Sequence, residues 1–411
     1  MVIDSGVSFR AIERIFGLFK ESEFQNIPSF YSIRKWLARI GVYELKREKE
    51  YREDWIYIVD FTLELGKQKA LVVLGISQQN LEESINKKEG LSHENVEVLG
   101  IEIMSSTRGE VIESALEKVS KKVGVPRQIV ADNSSDLARG IRLYQEKNPE
   151  LIYTHDVTHA MALLLKYELE AEDKYQSFVQ RCAICRQRLQ QTEFYFLAPP
   201  AQRSQCRYFN IERLTDWGIR LLNASPEKLM KLVPDMSPKI IVKKIKEKLS
   251  WLADYELDLQ RWHQMVSLTR SVESQLKVSG INGNSLEYFQ QDRFAFDDIY
   301  LQKFQQKVFD YIATQAEKIK CKRTLLAASD VIESLFGKYK QFSARCPLKE
   351  MGQMLLTICL STMNLTANIV KQALETISFA DVEAWLDEVF GQSMLSKRRT
   401  LFSTKPDTKT V

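Results

Sequence analysis

No run of 18 consecutive apolar residues occurs in the 411-residue chain, which excludes a conventional helical membrane span. Glycine and proline are scarce, at 16 and 10 residues, so collagen-like, low-complexity and mainly disordered chains are excluded too. The opening residues, MVIDSGVSFRAIER, lack the basic n-region and apolar h-region of a secretory signal. Six cysteines at irregular spacing do not make a disulfide framework, and a reducing, cytoplasmic setting is expected. Nor does one sign of charge dominate: 58 basic residues against 54 acidic leave a net +4. What remains is an ordinary globular composition, 44% hydrophobic and 27% charged. At roughly 150 residues per domain its length suits two or three domains.

The mean charge hides local excesses. Residues 201–250 hold 11 basic residues against 5 acidic, and the last sixteen hold five against one. Both stretches suit a polyanion, and both suit a solvated face or tail.

Along the first fifty residues the pattern is helical. Val7, Ile12, Ile15 and Phe19 recur at helical spacing, and Asn26-Ile27-Pro28-Ser29 interrupts them. A second helix is expected from Ser29 to Ile40, capped by Ser29 or Ser32 and closed by Gly41. Two short helices, the second basic at Arg34, Lys35 and Arg39, suit a helix-turn-helix over residues 1–52. A two-helix packing or dimerisation element would look the same.

At Trp55 the period changes to that of strands. Trp55–Leu63, Ala70–Ile76 and Asn95–Ile103 read as three strands, with a turn at Gly66-Lys67 and a polar excursion before the third. A helix from about Gly109 to Val123, a short strand Arg127–Asp132, a helix from about Ser135 to Glu146 and a strand Leu151–Thr154 follow. The order β-β-β-α-β-α-β predicts an α/β fold with a mixed sheet covered by helices, and it resembles that of the ribonuclease-H-like core. Residues 53–156 would form its first part. From 157 to 320 the chain reads as an all-α insertion, opening with one long helix over 157–190. Helices over 321–395 would complete the core, ahead of a basic tail over 396–411.

Two aspartates stand where strands deliver chemistry. Asp60 lies among Ile58, Val59 and Phe61, and Asp132 ends the fourth strand. A carboxylate inside an apolar strand is costly unless paired or bound to a metal. Two converging carboxylates suit Mg²⁺ or Mn²⁺. For either aspartate alone a solvated strand end, or for Asp132 a helix N-cap, explains the residue at least as well. A third ligand would come late, from Ser329–Lys340, where Glu333 sits among apolar neighbours. Lys340 shares its helical face at i, i+7, and Asp330 competes with Glu333 for the role.

The ordered set Asp60, Asp132 and Glu333, with a long helical insertion before the Glu, resembles DDE transposases of prokaryotic insertion sequences. Asp156-Val157-Thr158-His159 is similar to the C/D-x-x-H motif some of these families carry, which makes Asp156 and His159 supporting residues. Pro199-Pro200, followed by Arg203-Ser204 and Arg207, resembles a Pro-Pro-x-x-Arg-Ser-x-x-Arg segment of one group. The resemblance implies phosphoryl transfer on DNA with two Mg²⁺ (or Mn²⁺) ions, in which water nicks an element end and the freed 3′-OH attacks target DNA. It also implies terminal inverted repeats and target DNA as partners, and a dimer or higher oligomer on DNA. Arg34, Lys35, Arg39, Arg203, Arg207 and one of Lys338 and Lys340 would contact the nucleic acid. The spacing after Glu333 departs from the Tyr-Arg-Glu-Lys signature of the best-known subgroup. Two other readings share these residues: a non-catalytic DNA-binding derivative, and a nuclease of ribonuclease-H-like fold that hydrolyses without joining.

Cys182-Ala183-Ile184-Cys185, with His155 and His159, has the composition of a zinc site. The cysteines fall in an expected helix without knuckle turns, so packed thiols are the better expectation. Trp217, Trp251 and Trp262 are expected to pack rather than stack on a base.

Overall fold

The computed structural model describes residues 2–18, 26–65, 68–201, 209–233, 236–291, 295–319, 323–343 and 352–402. Arg203, Arg207, Gly66, Lys67 and the end of the basic tail lie outside them. The chain forms two compact units, residues 1–156 with 326–411, and residues 157–325. Among the described residues no helix is long and apolar enough to cross a membrane.

The first unit is built on a five-stranded mixed sheet in the order β3-β2-β1-β4-β5. Its strands are β1 (Trp55–Leu65), β2 (Gln68–Ser77), β3 (Glu97–Met104), β4 (Gln128–Ala131) and β5 (Ile152–His155). β1 pairs antiparallel with β2, and β2 with β3. On the other side β1 pairs parallel with β4, and β4 with β5. The strands are apolar on both faces because both are covered. Tyr57, Val59, Leu71, Ile129 and Ala131 pack with Ile112, Leu116, Leu137 and Ile141 of the helices Gly109–Val123 and Ser135–Lys147. On the opposite face Ile56, Ile58, Val72, Leu74 and Val130 pack with Val331, Ile332, Leu335 and Tyr339 of the helix Asp330–Ser343.

The structure departs from the sequence expectation in three places. The polar excursion after β2 holds a helix, Gln78–Lys87, capped by Ser77 and burying little beyond Leu81 and Ser84. Its narrow apolar stripe gave no period to read. The helix expected to stop at Gly41 runs from Phe30 to Lys46. Gly41 is a contact glycine instead of a cap: a Cβ there would lie 2.6 Å from that of Leu356. Beyond it Glu44 is buried but paired with Arg47 and Lys49, which offsets its desolvation.

The second unit is helical, and the long helix expected over 157–190 is two, Val157–Glu170 and Asp173–Leu189. Neither glycine nor proline marks the break. Glu172 at the corner accepts from the Trp262 indole N–H at 2.8 Å and pairs with Arg261, so a distant partner sets the bend. Trp262 is fully buried, with Tyr175 and Phe178 against its ring, and Trp251 packs on Phe178. The indoles of Trp217 and Trp251 donate to the Leu197 and Lys248 carbonyls. Cys182 and Cys185 are free, buried thiols in this core.

Candidate functional site

The parallel pairing of β1 with β4 positions the two aspartates. Ile58 is opposite Val130 and Val59 opposite Ala131, and the next residue on each strand is an aspartate. Strand periodicity puts Asp60 on the face of Ile58, and Asp132 continues the row of Val130. Backbones of neighbouring strands run about 4.8 Å apart, so the carboxylates stand side by side. Both residues are partly exposed. Asp60 Oδ1 accepts the Phe61 N–H at 2.7 Å. Asp132 Oδ1 accepts from the N–H and the hydroxyl of Ser134, at 3.1 and 2.7 Å, at the entrance to the next helix. The N-cap of that helix is Ser134, not Asp132, and these bonds use one of the two Asp132 oxygens. The Tyr153 hydroxyl donates to the Asp132 carbonyl at 2.8 Å, while burial raises the pKa of that phenol.

The row has a third member. Ala131 pairs with His155, and the following Asp156 donates its N–H to the Ala131 carbonyl at 3.0 Å. Asp60, inside β1, therefore lines up with Asp132 and Asp156, the residues that follow the C-terminal ends of the parallel neighbours β4 and β5, where open α/β sheets present their ligand sites. Asp156 differs from the other two in being buried, and its Oδ1 accepts the Ser329 N–H at 2.9 Å.

Ser329 precedes the Asp330–Ser343 helix, so the start of that helix sits at the carboxylate row. Val331, Ile332, Leu335, Phe336 and Tyr339 bury one side of it. Ser334 and Lys338 form one flank: the Ser334 hydroxyl lies 3.0 Å from His93 Nε2. Burial, with Lys338 repulsion behind it, holds the His93 pKa below its ordinary value. Glu333 and Lys340 lie on the other flank, seven residues apart. Glu333 and Asp330 are both partly exposed in the first turns, and Lys340 is exposed. Among the described residues no three His, Cys, Asp or Glu side chains close to metal-holding distance. The structure thus brings Asp60 and Asp132 together and leaves Glu333 outside a closed set. The donor chemistry of the pair, carboxylate oxygens fixed by backbone and hydroxyl donors, suits a hard divalent cation.

The other expected residues fall elsewhere. Arg39 is engaged with the main chain: its Nε donates to the Ile377 carbonyl at 2.5 Å and a second nitrogen donates to that of Leu374, so it closes the end of the helix Ala367–Thr376. Lys35 Nζ lies 4.6 and 4.3 Å from the ring centres of Tyr31 and Phe379, and the Arg34 guanidinium lies 5.2 Å from that of Tyr31. Their helix packs against Phe9–Leu18, Thr357–Thr362, Ala367–Thr376 and Phe379–Phe390, with Tyr31 and Trp36 exposed on it. His159 lies in the helical unit, in the first turn of Val157–Glu170. Sequence reasoning missed Gln128, a buried polar residue on β4 whose main-chain partner is far away in sequence.

No family model matches the sequence, and no curated protein matches it. Among solved structures the chain is similar to one from the Drosophila P element transposase strand transfer complex. Identity is 10% and the TM-score 0.41, over 90% of this chain and 96% of that one. A score so low leaves the site to be judged from its own strand register.

Proposed function

We propose that the chain is a DNA-processing enzyme of the DDE-transposase kind, built on a ribonuclease-H-like core, with Asp60, Asp132 and Glu333 as its acids. The observation that carries the reading is the register Val59–Ala131, which sets Asp60, inside β1, beside Asp132 at the end of β4. Mg²⁺ or Mn²⁺, when bound, supplies Lewis acidity at the scissile phosphate and lowers the pKa of an attacking water or 3′-OH. Asp60 and Asp132 would hold it from the sheet, and Glu333 would close on it from the covering helix. Lys340, on the same flank as Glu333, would meet a neighbouring phosphate. Arg34 and Lys35, partly exposed near the start of their helix, are further candidates for backbone contacts to double-stranded DNA.

The test is a labelled-DNA assay with the full chain in Mg²⁺, scored for nicks and for joined products. Asp60→Asn and Asp132→Asn should each abolish both while leaving DNA affinity nearly intact, because ligation and backbone contacts are separate terms. Glu333→Gln should act likewise and Asp330→Asn mildly. Nicking at a wild-type rate by either strand variant would remove the assignment. Nicks without joined products would favour a nuclease.

A further inference from the structure

Two buried polar side chains hold the place where the chain re-enters the sheet-bearing unit. Gln128 on β4 is 0% exposed. Its Nε2 donates to Thr154 Oγ1 at 2.6 Å and to the Leu326 carbonyl at 2.7 Å, and its Oε1 accepts the Leu326 N–H at 3.0 Å. One side-chain amide thus satisfies both main-chain groups of Leu326, as a neighbouring strand would. Three residues later the Ser329 N–H is taken by Asp156, which is 1% exposed. The segment Leu326–Ser329 is therefore tied at both ends immediately before the Asp330–Ser343 helix begins.

Burying an amide and a carboxylate costs several kcal/mol unless each is well bonded, so the arrangement is specific to this segment. Its anchors are also the right ones. Gln128 lies four residues before Asp132 on the same face, and Asp156 continues the row formed by Asp60 and Asp132. The height and rotation of the helix that carries Glu333 are fixed against β4 and β5, whose ends continue the row of the two aspartates.

We propose that Gln128 and Asp156 are positioning residues that set Glu333 against Asp60 and Asp132. The inference rests on the metal-site reading above. Outer partners that orient a metal-ligating group typically change metal affinity by about 10- to 100-fold when removed. Asp156 acts through its acceptor oxygen, so Asn, which keeps that oxygen, should substitute for it and Ala should not.

The experiment compares the full-length wild type with Asp156→Ala, Asp156→Asn and Gln128→Ala. Mn²⁺ binding is followed by electron paramagnetic resonance, and amide hydrogen exchange over 326–343 is followed by mass spectrometry. Asp156→Ala and Gln128→Ala should weaken Mn²⁺ binding by about 10-fold or more and speed exchange at the start of the helix, with exchange in β1 and β2 unchanged. Asp156→Asn should restore most of both. Wild-type Mn²⁺ affinity in a folded Asp156→Ala protein would overturn the proposal. So would Asp156→Asn failing as badly as Ala, since Asp156 would then act through its charge. If the wild type binds no Mn²⁺, the metal-site reading fails and takes the positioning of Glu333 with it. Exchange that still quickens in the Ala variants would then assign the two residues to the fold alone.

Discussion

Arg39→Ala separates two roles for one side chain. In the structure the guanidinium closes the C-terminal end of the helix Ala367–Thr376 by donating to the Leu374 and Ile377 carbonyls. A hydrogen bond from a charged donor contributes about 1.5–3 kcal/mol when buried. Arg39 is only half-buried, and water can reach the freed carbonyls, so about 2 kcal/mol for the pair is the reasonable magnitude. For a unit of this size that corresponds to a fall in melting temperature of about 4–8 °C. Arg39→Lys keeps the charge but loses the fork, and should recover less than half. The assay is a thermal melt beside a DNA titration at several salt concentrations. The slope of log affinity against log salt should not move, since no phosphate contact is lost. A variant that melts with the wild type yet loses about one unit of salt slope would refute the capping role and return Arg39 to the DNA surface.

Three further outcomes follow from burial and charge. Cys182, Cys185 and Cys359 are buried, and burial raises all three thiols, that of Cys359 to about 12. Alkylation of the native protein should leave these three unlabelled until denaturant is added, and rapid native labelling of Cys182 or Cys185 would contradict the packing described. Because His93 is depressed by burial and Lys338, its contribution to stability is intact above the ordinary histidine value, about 6.5, and is lost as pH falls through the lower folded value. The melting temperature should therefore drop between pH 7 and pH 5 by less in His93→Gln than in the wild type, and equal drops would show that His93 is not the responsible group. Glu172→Gln should loosen the corner between Val157–Glu170 and Asp173–Leu189 by removing the Arg261 ion pair. An unchanged melt of the helical unit would assign the bend to other contacts.

The sheet was legible because its residues repeat a local rule. Trp55–Leu65 and Gln68–Ser77 are β-rich runs bounded by turn residues, and a carboxylate inside such a run, as at Asp60, draws notice by its cost. The same reasoning reached Asp132 because it ends an apolar strand. The carbonyl partners of Arg39 were out of its reach, because a basic residue on a helix looks the same whether it meets a phosphate or caps a carbonyl 335 residues away. Gln128 was invisible for the same reason, with a partner 198 residues on. Gly41 reads as a helix terminator, and only the packed Leu356 shows why glycine is needed mid-helix. Period and turn chemistry are local properties of a sequence, whereas the partners of buried polar groups are not.

The central claim is that Asp60 and Asp132 form one divalent-cation site. The most direct measurement is anomalous diffraction from crystals of the full chain grown with Mn²⁺. The account predicts a peak shared by the carboxylates of Asp60 in β1 and Asp132 at the C-terminal end of β4, with Glu333 approaching it, and no such peak in crystals of Asp60→Asn. Mn²⁺ bound only elsewhere, or none at this pair at saturating concentration, would contradict it.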